Sequence, residues 1–215
     1  MSAAFKNSAA STIEATEIQL VRHAETGEEY RGRYVGRIDP PLSAAGLEQS
    51  AALGRRVDLH EMGTEYLTSP ALRTRQTAAA AGLDAAIDED LREIDFGQWE
   101  GLTFNEIAAG YPEAVERWAK LDPAFCFPKG ESLVEFQTRV RRVAERLAAR
   151  PPRRVVVITH GGVIRALVCH WLGLPPEAQL LLEVSPASLT RVRLFGDRGT
   201  LCTLNDLCHT TEATP

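Results

Sequence analysis

The chain has 215 residues, with 24 Lys+Arg against 29 Asp+Glu and a formal net charge of −5. Hydrophobic residues make up 44% and charged residues 25%, the balance of a globular protein long enough for one α/β domain with a sizeable core. The acidic excess argues against a nucleic-acid binder, and 16 Gly and 12 Pro are too few for a low-complexity chain.

Residues 1–16 are polar, lack an apolar run, and are expected to be a disordered extension that is neither signal nor anchor. One domain is expected over 17–209, with a short tail over 210–215. Ile18 to Val21 reads as a strand ending in Arg22-His23, followed by a Gly-, Arg- and Tyr-rich loop to Leu42. Ser43 caps a helix predicted to run to about Leu59. Tyr66 to Thr68 is a second strand; Ser69 and Pro70 then open a helix as N-cap and first helical residue, and Gly82 stops it.

Leu91 to Gly101 is a turn-rich loop, and short helices follow over 103–109 and 112–120. From Glu131 to about Ala149, Leu133, Phe136, Val140, Val143 and Leu147 recur at steps of three and four, the stripe of a helix packed on a core. Val155 to Ile158 is β-branched throughout, as a strand buried on both faces requires, and ends in Thr159-His160-Gly161-Gly162. A helix to Leu172 and strands over 188–194 and 200–204 complete the chain. The alternation predicts an α/β fold with helices on both faces of a mostly parallel sheet and an antiparallel edge late in the chain. The longest apolar stretch, Val163 to Leu174, holds Arg165 and His170 and is too short to span a membrane, so no membrane partner is expected.

Cys126, Cys169, Cys202 and Cys208 form no disulfide framework and, with His209, no zinc pattern; reduced thiols in a cytoplasm are expected, with no metal. Chemistry gathers elsewhere. Two predicted strands end in His23 and His160, and ligand sites in open α/β sheets lie beyond the carboxyl ends of the strands. Arg73, close behind a strand-to-helix turn, is the better of the Arg73/Arg75 pair for the same crevice, where helical N–H groups favour an anion. The loop over 91–101 offers Glu93, Asp95 and Glu100 beside Phe96 and Trp99, and spacing alone does not choose among the three. Two arginines, two histidines and one carboxylic acid suit phosphoryl transfer through a covalent intermediate: the guanidinium forks neutralise oxygens, a neutral imidazole attacks, and the acid protonates the leaving alkoxide.

The ordered segments Arg22-His23-Ala24-Glu25-Thr26, Asp39-Pro40-Pro41-Leu42-Ser43 with Gly46, Ser69 to Ala78, Leu91 to Gly101, Gly130-Glu131-Ser132, Thr159-His160-Gly161-Gly162 and Leu204-Asn205-Asp206 resemble the phosphoglycerate mutase-like branch of the histidine phosphatase superfamily. The resemblance implies a three-layer fold around a six-stranded mixed sheet and no cofactor. It also implies His23 as the phosphorylated nucleophile, Glu93 as the proton donor, and Arg22, Arg73 and His160 around the phosphoryl group of a small phosphorylated substrate. Arg33 and Gly161 are further candidates for substrate contact. Ala24 and Glu29 stand where the family usually has Gly and Asn; a carboxylate facing a phosphate repels it, so Glu29 is expected to turn away. His160 follows Glu93 by only 67 positions, shorter than the mutase branch typically has, which favours water as the acceptor. The pattern from Tyr30 to Ser43 and the length are most similar to the α-ribazole phosphatases of cobamide assembly. Phosphoglycerate mutases and broad-specificity or sugar phosphatases are alternatives, as is a phosphate-binding module without chemistry, and a homodimer is left open.

Overall fold

The computed structural model describes residues 15–120, 122–149 and 154–210. The predicted extension and tail therefore lie almost wholly outside the described residues. Strand β1 covers Thr16–Arg22 and starts inside the segment assigned to the extension, because Thr16 and Glu17 pair with Leu194 and Arg193. Helix α1 (Ala44–Gly54), β2 (Glu65–Thr68), α2 (Leu72–Ala80) and β3 (Ala86–Ile87) follow. Then come α3 (Phe104–Gly110), α4 (Pro112–Ala119), α5 (Leu133–Ala148), β4 (Arg154–Thr159), α6 (Gly161–Leu172), β5 (Leu189–Phe195) and β6 (Arg198–Asp206).

The sheet has the order β3-β2-β4-β1-β5-β6, with parallel pairing up to β1 and antiparallel pairing beyond it. Side chains alternate along a strand, so the central strands feed two cores. Ile18, Leu20, Val155 and Val157 face the core beneath α5 and α6; Val21, Val156 and Ile158 face the smaller core with Leu53 of α1 and Ala78 of α2. The predicted stripe of α5 (Leu133, Phe136, Val140, Val143, Leu147) is at most 3% exposed, and Ser132 closes a capping box with Glu135.

Two sequence-based boundaries are corrected. Helix α1 stops at Gly54 rather than near Leu59, and a separate short turn covers Val57–Leu59; a Cβ on Gly54 would lie 2.4 Å from the Ala81 carbonyl oxygen, a contact between helices that local sequence does not reveal. Ser69 is not the N-cap of α2: the cap position is Ala71, and the N–H of Leu72 instead donates to both carboxylate oxygens of Asp39, at 2.8 and 3.0 Å. The short edge strand β3 was not anticipated, since two exposed residues carry no periodicity. Among the described residues no helix is long and apolar enough to cross a membrane.

Candidate active site

Three adjacent parallel strands end side by side. After β2, the Ser69 N–H donates to Ile158 O at 3.0 Å; after β1, the His23 N–H donates to Thr159 O at 2.9 Å. Ser69, His160 and His23 thus stand in a row at the carboxyl edge of β2, β4 and β1. The helix following β1 packs on one face and the helix following β4 on the other, which opens a crevice between these two strands. The imidazoles of His23 and His160, 137 positions apart in the chain, meet there edge to face with centroids 5.3 Å apart.

Hydrogen bonding fixes both tautomers. His23 Nδ1 lies 2.9 Å from Ala24 O, and a carbonyl only accepts, so Nδ1 carries the proton and Nε2 keeps its lone pair. His23 Nε2 has no hydrogen bond among the described residues, so it can act as a nucleophile. His160 is arranged the other way: Arg73 Nη2 donates to Nδ1 at 3.1 Å, so Nε2–H donates to Ser69 Oγ at 2.8 Å. Burial pushes both imidazoles well below the usual histidine range, with Arg22 and Arg73 adding to the fall at His23 and Arg73 leading the charges at His160. Both rings are therefore neutral at pH 7.

Arg73 is completely buried while Arg75 is exposed, as their offset around α2 predicts. The Arg73 guanidinium is held by the carbonyls of Val35, Gly36 and Ile38 and lies 3.5 Å from Asp39. Arg22 donates to Val184 O at 2.6 Å; burial pulls it down to about 10, with Glu93 opposing and Arg165 and Arg73 assisting, so it too stays charged at pH 7. The Nε atoms of Arg22 and Arg73 are buried donors without partners among the described residues.

The three loop carboxylates separate cleanly. Glu93 reaches the start of α6, where its carboxylate accepts from the N–H of Gly162 at 3.0 Å and of Ile94 at 3.1 Å. Glu100 accepts from the N–H groups of Gly36, Arg37, Ile38 and Phe96 and so ties two loops together. Asp95 pairs with Arg37 at 3.1 Å on an exposed surface. The loop of Glu93 is fastened to the sheet by Thr159 Oγ1, which donates to Leu91 O at 2.7 Å.

Residues 18–207 match the histidine phosphatase superfamily, branch 1. The chain belongs to that superfamily. Phosphoserine phosphatase 1 of Hydrogenobacter thermophilus is 32% identical over 90% of this chain and 93% of its own length. The metal-independent phosphoserine phosphatase of Arabidopsis thaliana is 30% identical over 91% and 84%. Among solved structures, the α-ribazole phosphatase of Shigella flexneri superposes with a TM-score of 0.76 at 26% identity, over 89% of this chain and 97% of that one.

The remaining candidates in this histidine phosphatase fall into place. Gly161 begins α6 beside the Arg22 guanidinium. Arg33 lies on the rim of the adjoining cavity but is occupied by Glu106, at 3.1 Å, and by Gly101 O. Glu29 is exposed, and its carboxylate lies over Gly27. Phe125 and Phe127 are buried against Trp99 as a plug beneath the surface loop. Trp118 is only partly buried and lines the cavity.

Sequence reasoning missed Ser69 as the partner of His160, because its position before Pro70 fits an N-cap equally well. It also missed Arg139, which is 2% exposed, pairs with Glu131 at 2.8 Å and donates to the carbonyls of Asp90 and Arg92 just before Glu93. An arginine on the apolar side of a helical stripe was the available signal. Among the described residues no group of three or more His, Cys, Asp or Glu is placed to hold a metal ion.

Proposed function

We propose that this histidine phosphatase hydrolyses small phosphomonoesters without a metal, through phosphohistidine at His23. The observation that carries this is the free lone pair of a neutral His23, facing a crevice that holds Arg22, Arg73 and His160. His23 Nε2 attacks phosphorus and the ester P–O bond breaks. Glu93, the carboxyl group at the start of α6, gives its proton to the leaving alkoxide. The carboxylate then takes a proton from water, whose oxygen attacks phosphorus; the P–N bond breaks and inorganic phosphate leaves. Arg22 and Arg73 neutralise the nonbridging oxygens throughout, a fixed electrostatic role in a reaction that needs on the order of 20 kcal/mol of barrier lowering. His160 is the third group beside that phosphoryl centre.

Two substrates head the panel for assay. α-Ribazole phosphate is supported by the Tyr30 to Ser43 pattern and by likeness to the Shigella enzyme; phosphoserine is supported by the two relatives that carry it in their names. Phosphate release in the presence of EDTA is the test. Wild-type protein is expected to turn over and to yield an acid-labile phosphohistidine on quenching. His23→Ala is expected to lose turnover by at least ~10⁴-fold, as nucleophile removal does in covalent catalysis. Activity lost with EDTA and restored by a divalent ion would overturn the mechanism. Phosphate transferred within the substrate, without release, would assign a mutase; tight product binding without turnover would assign a binding module.

A further inference from the structure

Beyond Glu93 lies a cavity of about 350 Å³. It shares Arg22, Glu93, Gly161 and Gly162 with the phosphoryl site but is lined by neither histidine. In-line displacement puts the leaving group opposite the attacking nitrogen, and the acid that protonates it must touch it. Glu93 lines this cavity and His23 does not, so a substrate that gives its phosphoryl group to His23 and is protonated by Glu93 would extend its alcohol half into the cavity.

The cavity wall is partly aromatic, with Tyr34, Phe96 and Trp118, but one cation in it is unusual. Arg165 stands on α6, one turn beyond Gly161. Its Nε donates to Leu182 O at 2.8 Å, which fixes the guanidinium against the loop that Arg22 also holds through Val184 O. A methyl group placed on Gly161 would lie 3.5 Å from Arg165 Nη1 and 3.6 Å from Arg22 Cζ, so two guanidiniums flank the start of one helix. Like charges so close, at the positive end of a helix dipole, favour anions beside them, and Glu93 answers Arg22. Among the described residues no carboxylate lies within 4.0 Å of Arg165, whereas Arg33 on the same cavity is paired with Glu106. The partly buried Tyr34 hydroxyl is raised by burial and feels Arg165 as its leading opposing charge, which puts a hydrogen-bonding group in the same electropositive corner.

We propose that Arg165 binds a second anionic group on the alcohol half of the substrate, so that the enzyme prefers phosphomonoesters of alcohols that carry a carboxylate or another phosphate. This rests on the phosphatase reading above and narrows its substrate class: phosphoserine has such a group, whereas α-ribazole phosphate, a nucleoside ester, does not.

Three esters of one carbon skeleton test it: 3-hydroxypropyl phosphate, 3-phosphonooxypropanoate and propane-1,3-diyl bisphosphate. The wild type is expected to favour at least one of the two acidic esters by at least ~10-fold in kcat/KM, and which one identifies the anion. Arg165→Met is expected to lose about 10- to 100-fold on that ester, mainly through KM, and less than about 3-fold on the hydroxypropyl ester, the scale of one charge-assisted contact. Arg165→Lys should recover part of the loss. Because Arg165→Met also gives up the bond to Leu182 O, inhibition of the unaltered enzyme by free 3-hydroxypropanoate, compared with propane-1,3-diol, reads the same preference without a variant. Phosphate release blind to the second anion would overturn this inference and leave the phosphatase reading intact. An equal loss on all three esters would do the same, moving Arg165 to the phosphoryl group. No release from any ester would overturn both.

Discussion

At the scale of single residues, the site depends on which atom of each group is already engaged. His23 and His160 are chemically identical and nearly touching, yet a carbonyl takes the Nδ1 proton of one and an arginine holds the Nδ1 lone pair of the other. The proposed nucleophile is thereby distinguished from its neighbour by hydrogen bonding alone. Gly162 is a second such detail. A Cβ there would lie 2.5 Å from Glu93 Oε1, so only glycine lets the carboxylate lie against the start of α6. Gly162→Ala is therefore expected to displace Glu93 and lower kcat by about 10²-fold or more, the range for a mispositioned proton donor, with a smaller change in KM and an unchanged melting temperature within a few degrees. Steady-state kinetics with circular-dichroism melts check this; an unimpaired kcat would remove Glu93 from its proposed role. The two histidines and Arg73 were legible from sequence because each follows a recognisable strand, but nothing local separated Glu93 from Asp95 and Glu100. Their difference is a matter of which distant backbone N–H each one meets.

At the scale of elements, the loop carrying Glu93 has no regular structure of its own and is held from outside. Arg139, on α5, reaches the carbonyls of Asp90 and Arg92 and closes its charge against Glu131, which is 11% exposed at the side chain. A buried pair of this kind contributes little net attraction, but removing one partner leaves the other charge unpaired. Arg139→Met is expected to destabilise by about 3–5 kcal/mol. A second substitution, Glu131→Gln, made with it should recover part of that loss. A denaturant series on the two single variants and the double variant measures the coupling, and additive effects would show that the pair does not act as a unit. The stripe of α5 was legible because hydrophobic period is a property of contiguous residues. The clamp was not, because Arg139 and the loop it holds are 46 to 49 positions apart.

At the scale of the whole molecule, folding buries two neutral imidazoles beside two guanidiniums, and this links stability to pH. The unfolded chain binds protons at histidines near pH 6.5 while the folded site does not, so the unfolded state is favoured as pH falls through that value. Between pH 7.5 and 5.5 the protein is expected to lose about 1–3 kcal/mol from His23 and His160, discounted because His23 keeps a partly open edge. Inorganic phosphate should restore part of the loss, since an oxyanion in the crevice favours the charged imidazole. Melting temperatures across this range, with and without phosphate, give the measurement; a flat profile would mean that the rings are not held neutral.

The amino-acid sequence by itself determined the alternation of strands and helices, the burial of β4 on both faces, and the placing of a histidine at the end of each of two strands. All of these are set by the character of residues within a few positions of one another. Only the tertiary structure decided that β1 and β4 are neighbours, that Ser69 serves His160 rather than a helix end, that Glu93 is the carboxylate at the crevice, and that Arg165 faces the cavity beside it. Each of those is a contact between segments dozens of residues apart, and its energy exists only once the sheet has brought them together.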